Sequence, residues 1–137
     1  MRALILAAGL SLAATTAFAA DPVEGEWLTQ AGTAKVKIAP CGGGKICGNV
    51  SWLKNAADAK ATDANNPDAK LKARPIMGLP MLQGFKPAGP GKWTGGKIYD
   101  PNSGKTYDSK LTVTGAGTLK VEGCILMVCQ AQTWRRS

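Results

Sequence analysis

The feature that most constrains this chain is a repeated pattern of short alternating segments, each ended by Gly, Pro or Asn. In residues 34–39, Val36 and Ile38 alternate with Lys35 and Lys37; in 119–122, Leu119 and Val121 alternate with Lys120 and Glu122. Residues 106–114 place Tyr107, Ser109, Leu111 and Val113 on one face, and 46–53 place Ile46, Gly48, Val50 and Trp52 on one face. Side chains in a strand point alternately to its two faces, so a period of two over several residues marks a half-buried strand. Gly42-Gly43-Gly44, Pro101-Asn102-Ser103-Gly104 and Gly115-Ala116-Gly117 supply tight reversals between these segments. Pro40 reads as the end of the second strand, and Gly95-Gly96 as a bulge or sharp bend. Further strands are expected at 25–28, around 81–86, and at 92–100 and 130–136, about eight in all, with no long helix. The fold class is therefore all-β: a single small antiparallel barrel, since closure removes exposed strand edges.

The N-terminus follows different rules. Met1-Arg2 is a short positive start, 3–14 is almost wholly apolar, and 15–20 ends in small residues, the layout of a secretory signal. The apolar run is shorter than the roughly 20 residues a membrane-spanning helix needs. Ala17 and Ala19 fit the small-residue positions before a cleavage site, so 1–19 reads as a signal peptide and 20–137 as the β-barrel domain. No later segment is apolar enough to span a membrane as a helix.

Export places Cys41, Cys47, Cys124 and Cys129 in an oxidising compartment, where an even cysteine count in a small domain reads as two disulfides. Of the three connectivities, the local pairs Cys41–Cys47 and Cys124–Cys129 are favoured, because each brackets a segment short enough to be a hairpin tip. A zinc cluster is disfavoured: neither spacing is a two-residue ligand pair, and free thiolates do not suit that compartment. No metal and no cofactor is expected.

The chain has no histidine, which removes Ser-His-Asp and Cys-His nucleophile activation and histidine acid–base catalysis. Asp100, Asp108 and Glu122 are the carboxylates left for such work, but none sits in a recognisable motif, so no catalytic residue is assigned. The formal charge of +8 comes from scattered lysines. This pattern fits solvated outer faces and permits attraction to an anionic envelope surface. Nucleic acid is excluded as a partner by export and by the lack of a basic cluster with interleaved aromatics. Residues 54–75 are rich in Ala, Asp, Lys and Asn, with almost no large apolar side chains. They read as a long solvated loop with room for one short helical turn.

Three sets of residues carry a family resemblance. They are Gly25-Glu26-Trp27 with Pro40-Cys41 and Ile46-Cys47-Gly48; Asn66-Pro67-Asp68 with Arg74-Pro75 and Gly78; and Tyr99-Asp100-Pro101, Gly104-Lys105 and Tyr107 followed by Gly123-Cys124, Cys129 and Gln132-Thr133-Trp134-Arg135. In this order they resemble the bacterial exported domain-of-unknown-function family numbered 2147, over essentially the whole mature chain. The resemblance implies a small envelope protein in the periplasm of a Gram-negative bacterium, with no activity to carry over. A shorter likeness is to lipocalins: a Gly-x-Trp in the first strand and an Arg near the last, here Trp27 with Arg135 or Arg136. It implies a lipocalin-like meander with Arg closing the barrel floor over Trp.

Trp27, Trp52, Trp93 and Trp134 are expected to pack the core, some of them lining a ligand cavity. If Trp134 points inward, period two brings Gln130 and Gln132 in with it, and inward glutamines need hydrogen-bond partners or water. The opposite phase brings in Ala131, Thr133 and Arg135. The candidate ligand-binding residues are Trp52, Trp93, Tyr107, Gln130, Gln132 and Trp134. Ile125, Leu126, Met127 and Val128 form an apolar hairpin tip that either folds back over the barrel end or contacts a membrane or partner. The expected function is a non-catalytic binding module for a small apolar or amphiphilic envelope molecule. The alternative is an envelope structural or interaction protein acting through its loops.

Overall fold

A computed structural model describes residues 22–137; the expected signal peptide lies outside the described residues. Eight strands form the domain: β1 (Gly25–Leu28), β2 (Ala34–Gly42), β3 (Lys45–Leu53), β4 (Pro80–Pro87), β5 (Lys92–Asp100), β6 (Lys105–Gly115), β7 (Thr118–Ile125) and β8 (Val128–Arg136). Each pairs antiparallel with its neighbour in sequence, and β8 returns to β1 to close the barrel. Among the described residues, helix is limited to α1 (Ala56–Ala59) and a single 3-10 turn, Ala69–Leu71. Among the described residues no helix is long and apolar enough to cross a membrane.

The alternation read from the sequence sorts the side chains. Val36, Ile38, Leu111, Leu119 and Val121 are buried inside, packed with Trp27, Phe85 and Trp93. Gly96 lets Phe85 lie against the wall: a Cβ there would sit 2.4 Å from the ring. The ladder slips by one residue between Trp93 and Gly96, so both face inward, while Gly95 takes the extra position at φ +71°. This is the bulge expected at Gly95-Gly96.

Two local expectations are corrected. Pro40 does not end β2, which runs on to Gly42; Pro40 pairs with Ile46 just before a register shift. The missing N–H is tolerated there because the ladder is already irregular. In β3, Val50 pairs with Val36 but Trp52 pairs with Lys35, so Ser51 is an extra residue in the strand. The bulge inverts the phase, and Trp52 faces outward at 37% exposure with the Lys35 ammonium 5.0 Å from its ring centre.

Both disulfides are local, Cys41–Cys47 and Cys124–Cys129. The first ties β2 to β3, and the second joins directly opposed residues of β7 and β8. The Glu122 carboxylate lies close to the Cys124 and Cys129 sulfurs. Those sulfurs are bonded to each other, so the group does not form a metal site.

At the barrel floor Trp27 is fully buried and its indole N–H donates to the Val23 carbonyl at 2.9 Å. Arg136, not Arg135, covers it: the guanidinium lies 4.1 Å from the ring centre. It also donates to the carbonyls of Glu24, at 2.5 Å, and of Pro22. Gly25 makes room, since a Cβ would lie 2.7 Å from the Arg136 Nη1.

Candidate functional site

Because the strands alternate in direction, the connections 29–33, 54–79, 101–104 and 126–127 all emerge at the end opposite the floor. A cavity of about 790 Å³ opens there. Its apolar wall includes Val50, Ile76, Met81 and Ile98, and its polar wall includes Thr29, Thr62, Tyr107, Gln130 and Gln132. Trp134 belongs both to the packed half and to the cavity lining, so it marks the boundary between them.

In β8, Gln132 pairs with buried Val121 and Trp134 with buried Leu119, which puts Gln130, Gln132 and Trp134 inward. The Trp134 indole N–H donates to Gln132 Oε1 at 2.8 Å. That bond satisfies the indole and turns the glutamine amide into a fixed feature of the wall. Of the six residues proposed from sequence to bind a ligand, Tyr107, Gln130, Gln132 and Trp134 line the cavity. Trp93 is buried in the packed half, and Trp52 is outside the barrel.

Residues 54–75 are mostly exposed and include the short helical turn expected, but their composition conceals two buried polar residues, Asp63 and Asn66. They form a roof with a polar core. Asp63 is completely buried and accepts three hydrogen bonds: from the Tyr99 hydroxyl at 2.6 Å, Asn66 Nδ2 at 2.8 Å and Arg74 Nε at 2.9 Å. The Arg74 guanidinium also lies 5.5 Å from the Tyr99 ring centre. Backbone bonds between Asp63 and Arg74 and between Ile76 and Ala61 complete the unit. Burial alone would raise the Asp63 pKa, but the Tyr99, Asn66 and Arg74 donors together outweigh it and hold the carboxyl below its ordinary range. Burial, and then the Asp63 carboxylate, push the Tyr99 phenol up to about 12.

The roof is fastened to the opposite rim by Asn65, whose amide donates to the Pro101 and Asn102 carbonyls at 3.1 Å each. Gly104 is required for this contact, because a Cβ would lie 1.9 Å from the Asn65 carbonyl oxygen. The sequence reading missed this assembly. Asn66, Arg74 and Tyr99 do lie in the segments that carry the family resemblance, but an aspartate among Ala, Lys and Asn gives no sign of being buried.

Of the three carboxylates considered for catalysis, only Asp100 lines the cavity. Its oxygens accept from the Asn102 N–H and the Ser103 hydroxyl, both at 2.9 Å, and so brace the turn. Asp108 is paired with Lys97. Glu122 is paired with Lys120 at 2.9 Å and Lys110 at 3.5 Å, and these contacts, the Lys120 hydrogen bond foremost, hold its pKa low against burial. The apolar tip does not fold back over the barrel end: Leu126 and Met127 are 90% and 96% exposed. Ile125 and Val128, although largely exposed, contribute to the cavity mouth.

No curated protein matches the chain. Among solved structures it is similar to HP1028 from the human pathogen Helicobacter pylori, described as belonging to the lipocalin family. The TM-score is 0.74 and the identity 24%, over 83% of this chain and 82% of that one. At that identity the likeness concerns the fold alone, and it agrees with the closed eight-strand meander. The sequence profile of the family described as "Uncharacterized protein conserved in bacteria (DUF2147)" matches residues 25–136. That span runs from the first residue of β1 to the last of β8, and the chain belongs to this family.

Proposed function

We propose that this chain is a non-catalytic binding module for a small apolar or amphiphilic envelope molecule, exported to the periplasm. The observation that carries the reading is the cavity of about 790 Å³ above a solidly packed floor. That volume lies within the roughly 300–1,000 Å³ common for small-molecule sites, which are also largely apolar with a few placed polar groups. Export is supported by the layout of residues 1–20 and by two disulfides in a small domain.

Native mass spectrometry of protein purified from its own periplasm tests this directly. The expected spectrum shows a small-molecule adduct that is lost when the protein unfolds. The bare mass alone, together with no binding of the neutral apolar dye N-phenyl-naphthylamine, would end the reading.

A second reading is favoured by the exposed Leu126 and Met127 beside the cavity mouth. A disulfide-held apolar tip suits docking on a membrane, which would bring the mouth to its source of ligand. Replacing Leu126 and Met127 together with serine is expected to weaken co-sedimentation with vesicles of phosphatidylethanolamine and phosphatidylglycerol by roughly tenfold, given the apolar surface removed. Unchanged co-sedimentation would count against it.

A further inference from the structure

We propose that the cavity takes neutral or cationic amphiphiles and rejects those with carboxylate or phosphate head groups. The inference rests on the binding reading above and specifies its ligand class. The chain carries 17 Lys and Arg against 9 Asp and Glu. Yet no lysine or arginine among the described residues lines the cavity, while two carboxylates, Asp58 and Asp100, do. The charge balance of the wall is the reverse of that of the chain.

Period two explains part of this. Lys35, Lys37, Lys97, Lys110 and Lys120 occupy the outer phase of strands whose inner phase is Val36, Ile38, Ile98, Leu111 and Val121. Strand alternation does not govern the rim loops, where Lys54, Lys60, Lys70 and Lys72 lie, and they too are absent from the lining. Arg74 is engaged by Asp63 and Tyr99, and Lys72 donates to the Ala64 carbonyl at 3.3 Å.

The two lining carboxylates are not neutralised. Asp58 accepts from Asn55 Nδ2 at 3.2 Å, and Asp100 accepts from its own turn. Lys105 stands opposite Asp100 in the strand ladder, but among the described residues neither aspartate has an ion-pair partner. Below the rim the polar groups are uncharged: Gln130, Gln132 and the Tyr107 hydroxyl. An apolar tail would therefore lie against Val50, Met81, Ile98 and Trp134, with its head among amides, hydroxyls and two carboxylates. An ammonium or hydroxyl head is matched there, whereas an anionic head meets like charge and no cation.

The test is displacement of N-phenyl-naphthylamine from the intact disulfide-bonded domain by dodecylamine, dodecanol and dodecanoate, each below its micellar concentration and at low salt. Dodecylamine and dodecanol are expected to compete at least roughly tenfold better than dodecanoate, with the gap shrinking as salt screens it. Asp58→Asn and Asp100→Asn together should narrow the amine–carboxylate gap; a gap of the same size would overturn the role given to the two carboxylates. If dodecanoate competes as well as dodecylamine, the class inference is overturned and the cavity remains a binding site. If neither the dye nor any of the three binds, the binding reading itself fails, and this inference with it.

Discussion

Replacing Trp27 with alanine is expected to destabilise the domain by about 3–5 kcal/mol, the usual loss for a large aromatic removed from a packed core. Trp27 is fully buried at the barrel floor, its indole N–H is bonded to Val23, and the Arg136 guanidinium covers its ring. The substitution leaves a cavity and removes the surface on which Arg136 rests. Small domains have only about 5–15 kcal/mol of net stability, so the variant should show a sharply lowered urea midpoint with its slope nearly unchanged. Arg136→Ala should have a smaller effect, roughly 1–2 kcal/mol, since it loses a cation–π contact and two exposed hydrogen bonds. A Trp27→Ala loss below about 1 kcal/mol would show that the floor is not packed as described.

Asp63→Ala is expected to destabilise by about 3 kcal/mol, because it leaves buried donors without their acceptor. The Tyr99 hydroxyl and the Asn66 amide lose their bonds; Arg74 is partly exposed and regains some hydration. The loss is local as well as global. The roof over the cavity should open, and trypsin should cut faster at Lys54, Lys60, Lys70 and Lys72 in the variant before the barrel unfolds. A variant as resistant as the parent would refute the structural role of this network.

The same contacts make stability depend on pH at both extremes. The Asp63 pKa is lower in the folded state than in the unfolded chain, so its contribution is complete above the ordinary carboxylate value of 3.8 and is lost as pH falls below it. The Tyr99 pKa is raised, so its contribution is complete below 10.0 and is lost as pH rises towards about 12. Two pH units correspond to roughly 3 kcal/mol of alkaline destabilisation. Urea unfolding at mildly and strongly alkaline pH should reveal it, and Tyr99→Phe should remove that part of the pH dependence.

How much was legible in advance varies with the kind of interaction. Val36 and Ile38 against Lys35 and Lys37 announce a half-buried strand, because alternation is a local property of extended backbone. Turn residues and the close Cys pairs are legible for the same reason, since their geometry is settled within a few residues. The choice between Arg135 and Arg136 is not, because it depends on how β8 meets β1 across the whole chain. Counting in twos places Trp52 on the inner face with Val50. One extra residue in β3 turned it out, and only pairing with β2 reveals such an insertion. Composition marks 54–75 as solvated, but it reports the average polarity of a segment, not whether three donors converge on one carboxylate such as Asp63.

By itself, then, the sequence determined the all-β class, the turns, the two local disulfides and the absence of histidine chemistry. Each follows from residue type and short-range geometry. Only the tertiary structure decided that the upper half of the barrel is hollow, that 54–75 roofs it, and that its wall excludes the abundant lysines. These properties arise where segments distant in sequence meet, and the side chains that create them are stabilised by partners no local pattern names.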